Sequence, residues 1–454
     1  MPTIGHAYLS NKEIDIITNL FRFRSGTALQ LTYILEPALV ETDSALNTAQ
    51  NGYTGRVKYI AKILNGLTKK GLVAIFKVIH TPKYVYYLTQ EGLNTAYTIL
   101  EIEEHSAMIA GGWEGDYGYF DYSLYKPTQD RFAHHDLTIH FQILMMHYAG
   151  VYQYKYDWID NRYASTEFAV KSGKTTKRFF RPDGEFKIIR PGHQDHYWLE
   201  VDMSTERGEK LADKFETYRQ YLDYVTEGIK FDEANDTPNS IMFHSAASYI
   251  QKRWTSVLVA FISRMGEYAS LVNLRLTNNT TLNEAVSAEI NKYQLLDKLK
   301  NNLKNYLLQE SGFKGILNQN GKNTFVKLLP EDEVILGNWS PNLIIIENAD
   351  LTNQVLLFEN YDGYESIGLA RAIDFYKKFS TLTIGKSDKI TDVIPVLCYY
   401  DNKVNELPFK GTLLEKETRN IFSKLIFHDV KNNLWFDGQT NQPILKNPLM
   451  YRSR

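Results

Sequence analysis

Between residues 178 and 245 the chain alternates in a way that few architectures accept. RFFRPDGEFKIIRP (178–191) reads as a strand carrying Asp183, HQDH as a turn, and YWLEVD (197–202) as a second strand. Residues 205–222 then place Leu211, Phe215, Tyr218 and Leu222 at helical spacing, so a helix with one apolar face follows. NSIMFHS (239–245) returns to a short strand and 249–266 to a helix, while DRFAHHDLTIHFQILMMHY (130–148) predicts a helix ahead of the block. Short strands interleaved with longer helices call for a sheet covered by helices. The second strand ends in Glu200 and Asp202, and because side chains alternate, both acids share one face. They can form a site for metal or phosphate chemistry together with Asp183. They can also simply cap the next helix, whose N-terminus favours acids.

The order helix, strand with Asp, strand with Glu, helix, strand is that of the PD-(D/E)xK nuclease core. Two carboxylates on adjacent strands can share a hard divalent cation such as Mg²⁺ or Mn²⁺. Such a metal polarises a phosphodiester and lowers the pKa of a bound water. Asp183 and Glu200 are the expected metal ligands. The lysine usually found two residues after the Glu is absent, since the sequence there reads Glu200-Val201-Asp202. Lys214, at the border of the helix's apolar face, is the candidate replacement. Asp183, Glu200, Asp202 and Lys214 therefore form the candidate catalytic set. His193-Gln-Asp195-His196 reads as a plain hairpin loop rather than a zinc site, and no P-loop, dinucleotide-binding glycine pattern or nucleophile elbow is present.

Net charge is −2 over 454 residues, which argues against a chain coated in basic charge. Yet residues 44–90 hold no Asp or Glu and seven basic residues, a local surface suited to a polyanion. The same stretch contains a motif. Ser10 and Glu13 form a capping box for a helix over 11–22, a second helix fits 25–35, and RVKYIAKILNGLTKKGLV (56–73) predicts a third, ended by Gly71. Two β-like runs, LVAIFKVIH and KYVYYLT, follow. Three helices and a hairpin are the order of a winged helix-turn-helix. Arg56, Lys58, Tyr59 and Lys62 would reach a major groove of double-stranded DNA. Lys69, Lys70, Lys77 and Lys83 complete the basic surface, the last two on the hairpin beside the flanking backbone. Such domains also serve as protein–protein adaptors.

The winged helix, KYVYYLTQEGL (83–93), HHDLTIHF (134–141), RPDGEF (181–186) and EVDMSTERGEKLADKFETY (200–218) together resemble the plasmid replication-relaxation family over roughly residues 10–265. The resemblance implies a PD-(D/E)xK-like fold and a part in plasmid or mobile-element replication, relaxation or mobilisation by conjugation. A relaxase or a replication initiator would be the protein partner. It also implies supporting roles for Thr205, for Tyr218 and for a histidine of the 134–135 pair, for which His135 is taken.

The C-terminal part repeats the pattern in weaker form. SPNLIII (340–346) mirrors FRPDGEF, VLLFENYDGYES (355–366) mirrors YWLEVDMSTERG, and GLARAIDFYKKF (368–379) mirrors the Lys- and Tyr-bearing helix. Asn342 lies seventeen positions before Glu359, as Asp183 does before Glu200. Asn342 replaces Asp183 and Tyr361 replaces Asp202, which would weaken metal binding. The expectation is an α+β protein in four parts: a winged helix (1–100), a linker (101–129), a nuclease-like domain (130–270) and a degenerate second copy (271–454) that could serve as a homodimer surface. The longest apolar run, near SVLVAFI (256–262), is far short of the ~20 residues of a membrane helix. One cysteine, Cys398, excludes an intramolecular disulfide. A cytoplasmic DNA-binding accessory protein is the leading reading. A metal-dependent endonuclease and a winged-helix transcription regulator are the alternatives.

Overall fold

A computed structural model describes residues 3–4, 7–40, 55–104, 117–172, 174–228 and 237–309. In the C-terminal part it describes 316–317, 323–328, 342–347, 353–361, 363–379, 383–384, 388–399, 407–409, 411–432 and 434–444. The fold is mixed α/β. Strands β1 (Thr3–Ile4) and β2 (Ala7–Tyr8) pair ahead of α1 (Asn11–Phe23). Helix α1 opens at the expected capping box, with Glu13 Oε2 accepting from the Ser10 backbone N–H at 2.9 Å. After β3 (Ser25–Gly26), Thr27 and Gln30 cap α2 (Ala28–Leu35) in the same manner, so this helix starts later than the periodicity predicts. Helix α3 (Gly55–Lys69) ends where Gly71 takes φ +74° and the Leu72 N–H bonds back to the Leu67 carbonyl. The hairpin β4 (Val73–Lys77) and β5 (Tyr84–Leu88) follows, with β3 pairing on β5, and α4 (Gln90–Ile99) closes the unit.

The second unit begins with α5 (Gln129–Tyr152) and β6 (Lys155–Asp160). Strands β7 (Thr166–Ser172) and β8 (Lys174–Phe180) form a ribbon of their own. Then come β9 (Gly184–Arg190), β10 (His193–Asp202), α6 (Glu209–Gly228), β11 (Ser240–Ser245), α7 (Ile250–Met265) and β12 (Asn273–Thr277). The sheet order is β12-β11-β10-β9-β6, with the β6, β9 and β10 pairs antiparallel and the β10, β11 and β12 pairs parallel. Helix α5 covers one face, where Phe141 meets Phe186, and α6 and α7 cover the other, where Phe215 meets Phe243 and Phe261.

Four expectations shift. The run 178–191 is two strands, because Pro182 cannot donate to a ladder and the chain turns there, leaving Asp183 between β8 and β9. HQDH belongs to β10, and the turn is Pro191-Gly192, where Gly192 takes φ +77°. The helix begins at Glu209 rather than 205, after Gly208 at φ +55°. The sheet also continues past residue 270, since β12 is its edge strand.

Helix α8 (Leu282–Gln309) leads to β13 (Ile316–Leu317), β14 (Asn323–Leu328), β15 (Asn342–Glu347) and β16 (Asn353–Asn360). These are followed by α9 (Ile367–Lys378), β17 (Thr383–Ile384), β18 (Asp388–Tyr399), α10 (Leu413–Phe422), β19 (Ile426–Asp429) and β20 (Leu434–Asp437). The path β14-β15-β16-β18-β19 repeats the order and polarity of β6-β9-β10-β11-β12, antiparallel twice and then parallel twice. Helices α9 and α10 hold the chain positions of α6 and α7. One apolar cluster joins the two sheets. It contains Phe215, Trp254 and Phe261 from the first and Leu357, Leu369, Ile373 and Phe427 from the second.

Candidate functional site

The first carboxylate is positioned by backbone. The Asp183 N–H donates to the Leu199 carbonyl at 2.9 Å, and Asp183 Oδ2 accepts from the Val201 N–H at 2.8 Å. Both bonds go to β10 on either side of Glu200, so Asp183 stands beside that glutamate although it lies off the strand. Helix α5 supplies the next contact, His134 Nε2 at 3.2 Å from Asp183 Oδ2. Helix α6 supplies the partners of Glu200: Lys214 Nζ donates to Oε2 at 2.8 Å and the Tyr218 hydroxyl to Oε1 at 2.6 Å. Lys214 also lies 3.4 Å from Glu206. Lys214, the candidate for the lysine absent after Glu200, lies early in the following helix. It reaches Glu200 because Leu211, Phe215 and Tyr218 anchor that helix on the sheet.

Asp202 has a different setting. It is buried and held bidentately by Arg253 of α7, with Nε and Nη2 each 2.7 Å from a carboxylate oxygen. Ser245 donates to it at 2.7 Å and the Ser204 N–H at 2.9 Å. With its charge matched by a guanidinium, Asp202 fixes the β10–β11–α7 corner. Neither Arg253 nor Ser245 announces this in the sequence, since each lies on a separate element more than forty residues away. Of the histidine pair, His134 meets Asp183. His135 is half-buried on another side of α5, its buried Nε2 has no hydrogen-bond partner, and desolvation pushes its pKa down to about 3. Thr205 lines the mouth of the site and is exposed.

These groups floor a cleft of about 520 Å³. Burial pushes the Asp183 carboxyl up, but the His134 hydrogen bond and charge, with Lys214, outweigh it and hold it below the usual range. Burial dominates at Glu200, whose pKa is raised despite Lys214, and Asp183 adds to the rise. Burial opposes the charge on Lys214 as well, yet Glu200 and Asp183 raise its pKa, so it stays an ammonium. His134 is likewise raised, because Asp183 overcomes the effect of burial. A lowered and a raised carboxyl beside a lysine ammonium bonded to the raised one are the kind of perturbed groups that cluster at functional sites.

Among the described residues no group of three or more His, Cys, Asp or Glu is arranged to hold a metal ion. A smaller donor set does fit Mg²⁺ or Mn²⁺, which bind through one or two carboxylates and keep waters and substrate phosphates as the other ligands. Each Glu200 oxygen accepts one side-chain hydrogen bond and so retains acceptor capacity for a further ligand. Asp183 and Glu200 are the pair that can hold such an ion.

The basic residues of the N-terminal unit divide into two groups. Lys58, Tyr59 and Lys62 project from the exposed side of α3, as do Lys69 beyond them and Lys77 on the hairpin. Arg56 is exposed and 3.6 Å from Glu36. Lys70 and Lys83 are engaged within the molecule, with Glu13 at 2.6 Å and Asp136 at 2.9 Å.

No curated protein matches this chain. A solved structure of the restriction endonuclease FokI is similar over 63% of this chain and 46% of its own, at 12% identity and a TM-score of 0.20. The match thus spans less than half of that enzyme. No helix among the described residues is long and apolar enough to cross a membrane. The replication-relaxation family model matches residues 35–232, somewhat under half of the chain, and that stretch carries α3, the hairpin, His134, Asp183, Glu200, Lys214 and Tyr218.

Proposed function

We propose that the chain is a DNA-binding accessory protein for replication or mobilisation of a plasmid or mobile element. The N-terminal unit acts as a winged helix that reads double-stranded DNA, and the nuclease-like cleft engages its backbone. The observation that carries this reading is the convergence of Asp183, Glu200 and Lys214 on one cleft, in the same chain as an exposed cationic helix. Lys58, Lys62 and Lys69 on α3, with Lys77, supply phosphate contacts. In the cleft, Lys214 meets a phosphate oxygen, Tyr218 orients Glu200, and His134 holds Asp183 ionised. A divalent ion held by Asp183 and Glu200 would supply Lewis acidity toward the phosphodiester and a water of lowered pKa.

The same convergence favours strand cleavage as a second reading, and one experiment separates the two. Purified protein is incubated with supercoiled plasmid and Mg²⁺ or Mn²⁺ beside Asp183→Ala, with a gel shift on the same samples. DNA bound without product in either sample fits the accessory role. Nicking or linearisation that vanishes in Asp183→Ala makes the chain a metal-dependent endonuclease. The double change Arg56→Ala with Lys58→Ala should weaken duplex binding and flatten its salt dependence. Unchanged affinity would remove α3 as the reader. Promoter-like palindromes bound with no effect of Asp183→Ala on any DNA reaction would instead make the chain a transcription regulator.

The C-terminal sheet fits a second copy of the core that has lost this chemistry. Its Glu359 is buried as Glu200 is, but its cationic neighbour is Arg371 at 3.8 Å, and Tyr361 stands in the place of Asp202. The copy serves as a scaffold or a surface for a second protomer or a relaxase.

A further inference from the structure

The mouth of the cleft carries a group that a backbone-only site does not need. Phe179 lines the cleft, yet it is 67% exposed. Its neighbour Phe180 is fully packed, stacked on Tyr221 at 4.0 Å with rings 4° from parallel and edge-on to Trp198 and Tyr218. On the opposite strand of the ribbon Phe168 packs on Tyr221 and Tyr224. The base of the β7–β8 ribbon is therefore locked to α6, and alternation along β8 turns Phe179 outward as rigidly as it turns Phe180 inward.

Two cations stand at the mouth with it: Arg181, just past β8, and Lys210 of α6 both line the cleft, as do the acids Glu206 and Asp213. Arg181 and Lys210 are exposed, and neither makes an ion pair among the described residues. On the floor below, Glu200 is only 5% exposed, so a phosphodiester must come down into the cleft to reach it. An aromatic face with cations beside it is the arrangement that holds a nucleic-acid strand by stacking bases and tracking phosphates. A paired duplex offers no free base face at such a rim, whereas a single strand does.

We propose that this rim is a binding site for single-stranded nucleic acid, with a base stacked on Phe179 and adjacent phosphates on Arg181 and Lys210. The site deepens the functional reading above by naming the form of DNA the cleft receives: an unpaired strand, such as that at a melted origin, flap or nick. Duplex recognition by α3 and strand capture by the cleft then act on different stretches of one DNA molecule.

The test uses the full chain and fluorescence anisotropy with a labelled mixed-sequence oligonucleotide of about 12 nucleotides, within the usual span of one single-strand module. The same strand annealed to its complement is the comparison, without metal so that nothing is cut. Phe179→Ala should weaken single-strand binding about 5- to 100-fold while leaving duplex affinity unchanged, and Phe179→Trp should restore or tighten it. Because the ring is exposed, neither change should move the melting temperature. The proposal fails if wild-type protein does not bind the single strand, if Phe179→Ala binds it as wild type does, or if both forms of DNA are weakened equally. Loss of duplex binding on Arg56→Ala with Lys58→Ala, combined with an indifferent Phe179→Ala, would overturn this site and leave the functional reading standing. Single-strand binding that depends on Phe179 in a chain with no duplex affinity would do the reverse.

Discussion

Two buried carboxyls carry opposite consequences for stability. Asp160, at the end of β6, lies between Arg162, which donates to it at 2.9 Å, and Arg24 at 3.4 Å. Burial opposes its charge, but the two guanidiniums hold its pKa down to about 2. A depressed carboxyl stabilises the fold above its unfolded pKa and loses that contribution as pH falls toward its folded value. Asp160→Asn should therefore cost on the order of 2–3 kcal/mol at pH 7 and progressively less below pH ~4. Denaturant melts at both pH values check this, and an equal loss at both would refute it. Glu359 runs the other way: burial raises it to about 7, with Arg371 only partly compensating. The folded state binds more protons than the unfolded chain between pH ~4.3 and about 7, so stability falls as pH rises through that window. Glu359→Gln should stabilise by roughly 1–3 kcal/mol at pH 8 and by little at pH 5. No gain at pH 8 would mean that the ionised carboxylate does useful work in the second sheet. At this scale the sequence was legible where spacing alone chose the residue. Glu200, Lys214 and Tyr218 converge because strand alternation and helical period place them, while Asp183, off the strand, joins them through its two bonds to β10. The choice between His134 and His135 depends on the roll of α5, about 100° per residue, which adjacent positions do not reveal. The ion pair of Asp202 is hidden for a similar reason, since its partner Arg253 is distant in sequence.

Helix α5 links the two units of the family-matched region. Near its start Gln129 clamps the hairpin, accepting from the Ile79 N–H at 3.1 Å and donating to the Lys77 carbonyl at 2.9 Å. Two residues after His134, Asp136 accepts from Lys83 at 2.9 Å and from Gln30 of α2 at 2.7 Å. Helix α5 thus secures Asp183 from one side and holds the hairpin from the other, and Lys83 is an internal strut. Asp136→Ala should cost about 2–3 kcal/mol by removing two hydrogen bonds to a charged group. It should also speed amide exchange across residues 73–88 while leaving β10 protected. Unchanged exchange in the hairpin would show that Gln129 alone anchors it. Periodicity made the long helices and central strands readable. It left the β7–β8 ribbon unread, because TEFAVKSGKTTKRFF alternates without a run of apolar residues. It also misplaced the turn before β10, where Pro191-Gly192 gave a turn signal that the polar HQDH obscured.

The family match ends inside the fold that it identifies. It begins at residue 35, the last residue of α2, and so omits α1, whose Ile16, Ile17, Leu20 and Phe21 are fully buried. It stops at 232, before β11, which pairs in parallel with β10 from Tyr197 to Asp202, and before α7, which carries the Arg253 that neutralises Asp202. Cutting there opens the hydrogen-bonding edge of β10, uncovers Phe215 by removing Phe243, and leaves Asp202 a buried charge without its partner. An exposed apolar strand edge pairs with other copies, and an unpaired buried carboxylate costs about 3–5 kcal/mol. The second sheet adds to this dependence. Its Leu357, Leu369 and Phe427 share a cluster with Trp254 and Phe261. Arg275 on β12 also bridges Glu289 at 3.0 Å and Glu365 at 3.1 Å across the junction. A fragment spanning 35–232 should therefore elute as aggregate and show no cooperative unfolding, while the whole chain melts with both sheets in one transition. The check is size-exclusion chromatography of the fragment beside calorimetry of the full chain. A monomeric fragment with a sigmoidal melt would mean that the matched segment is a self-sufficient domain. Two separated endotherms in the full chain would mean that the C-terminal sheet is an independent attachment rather than part of the wall on which α6 and its Lys214 are held.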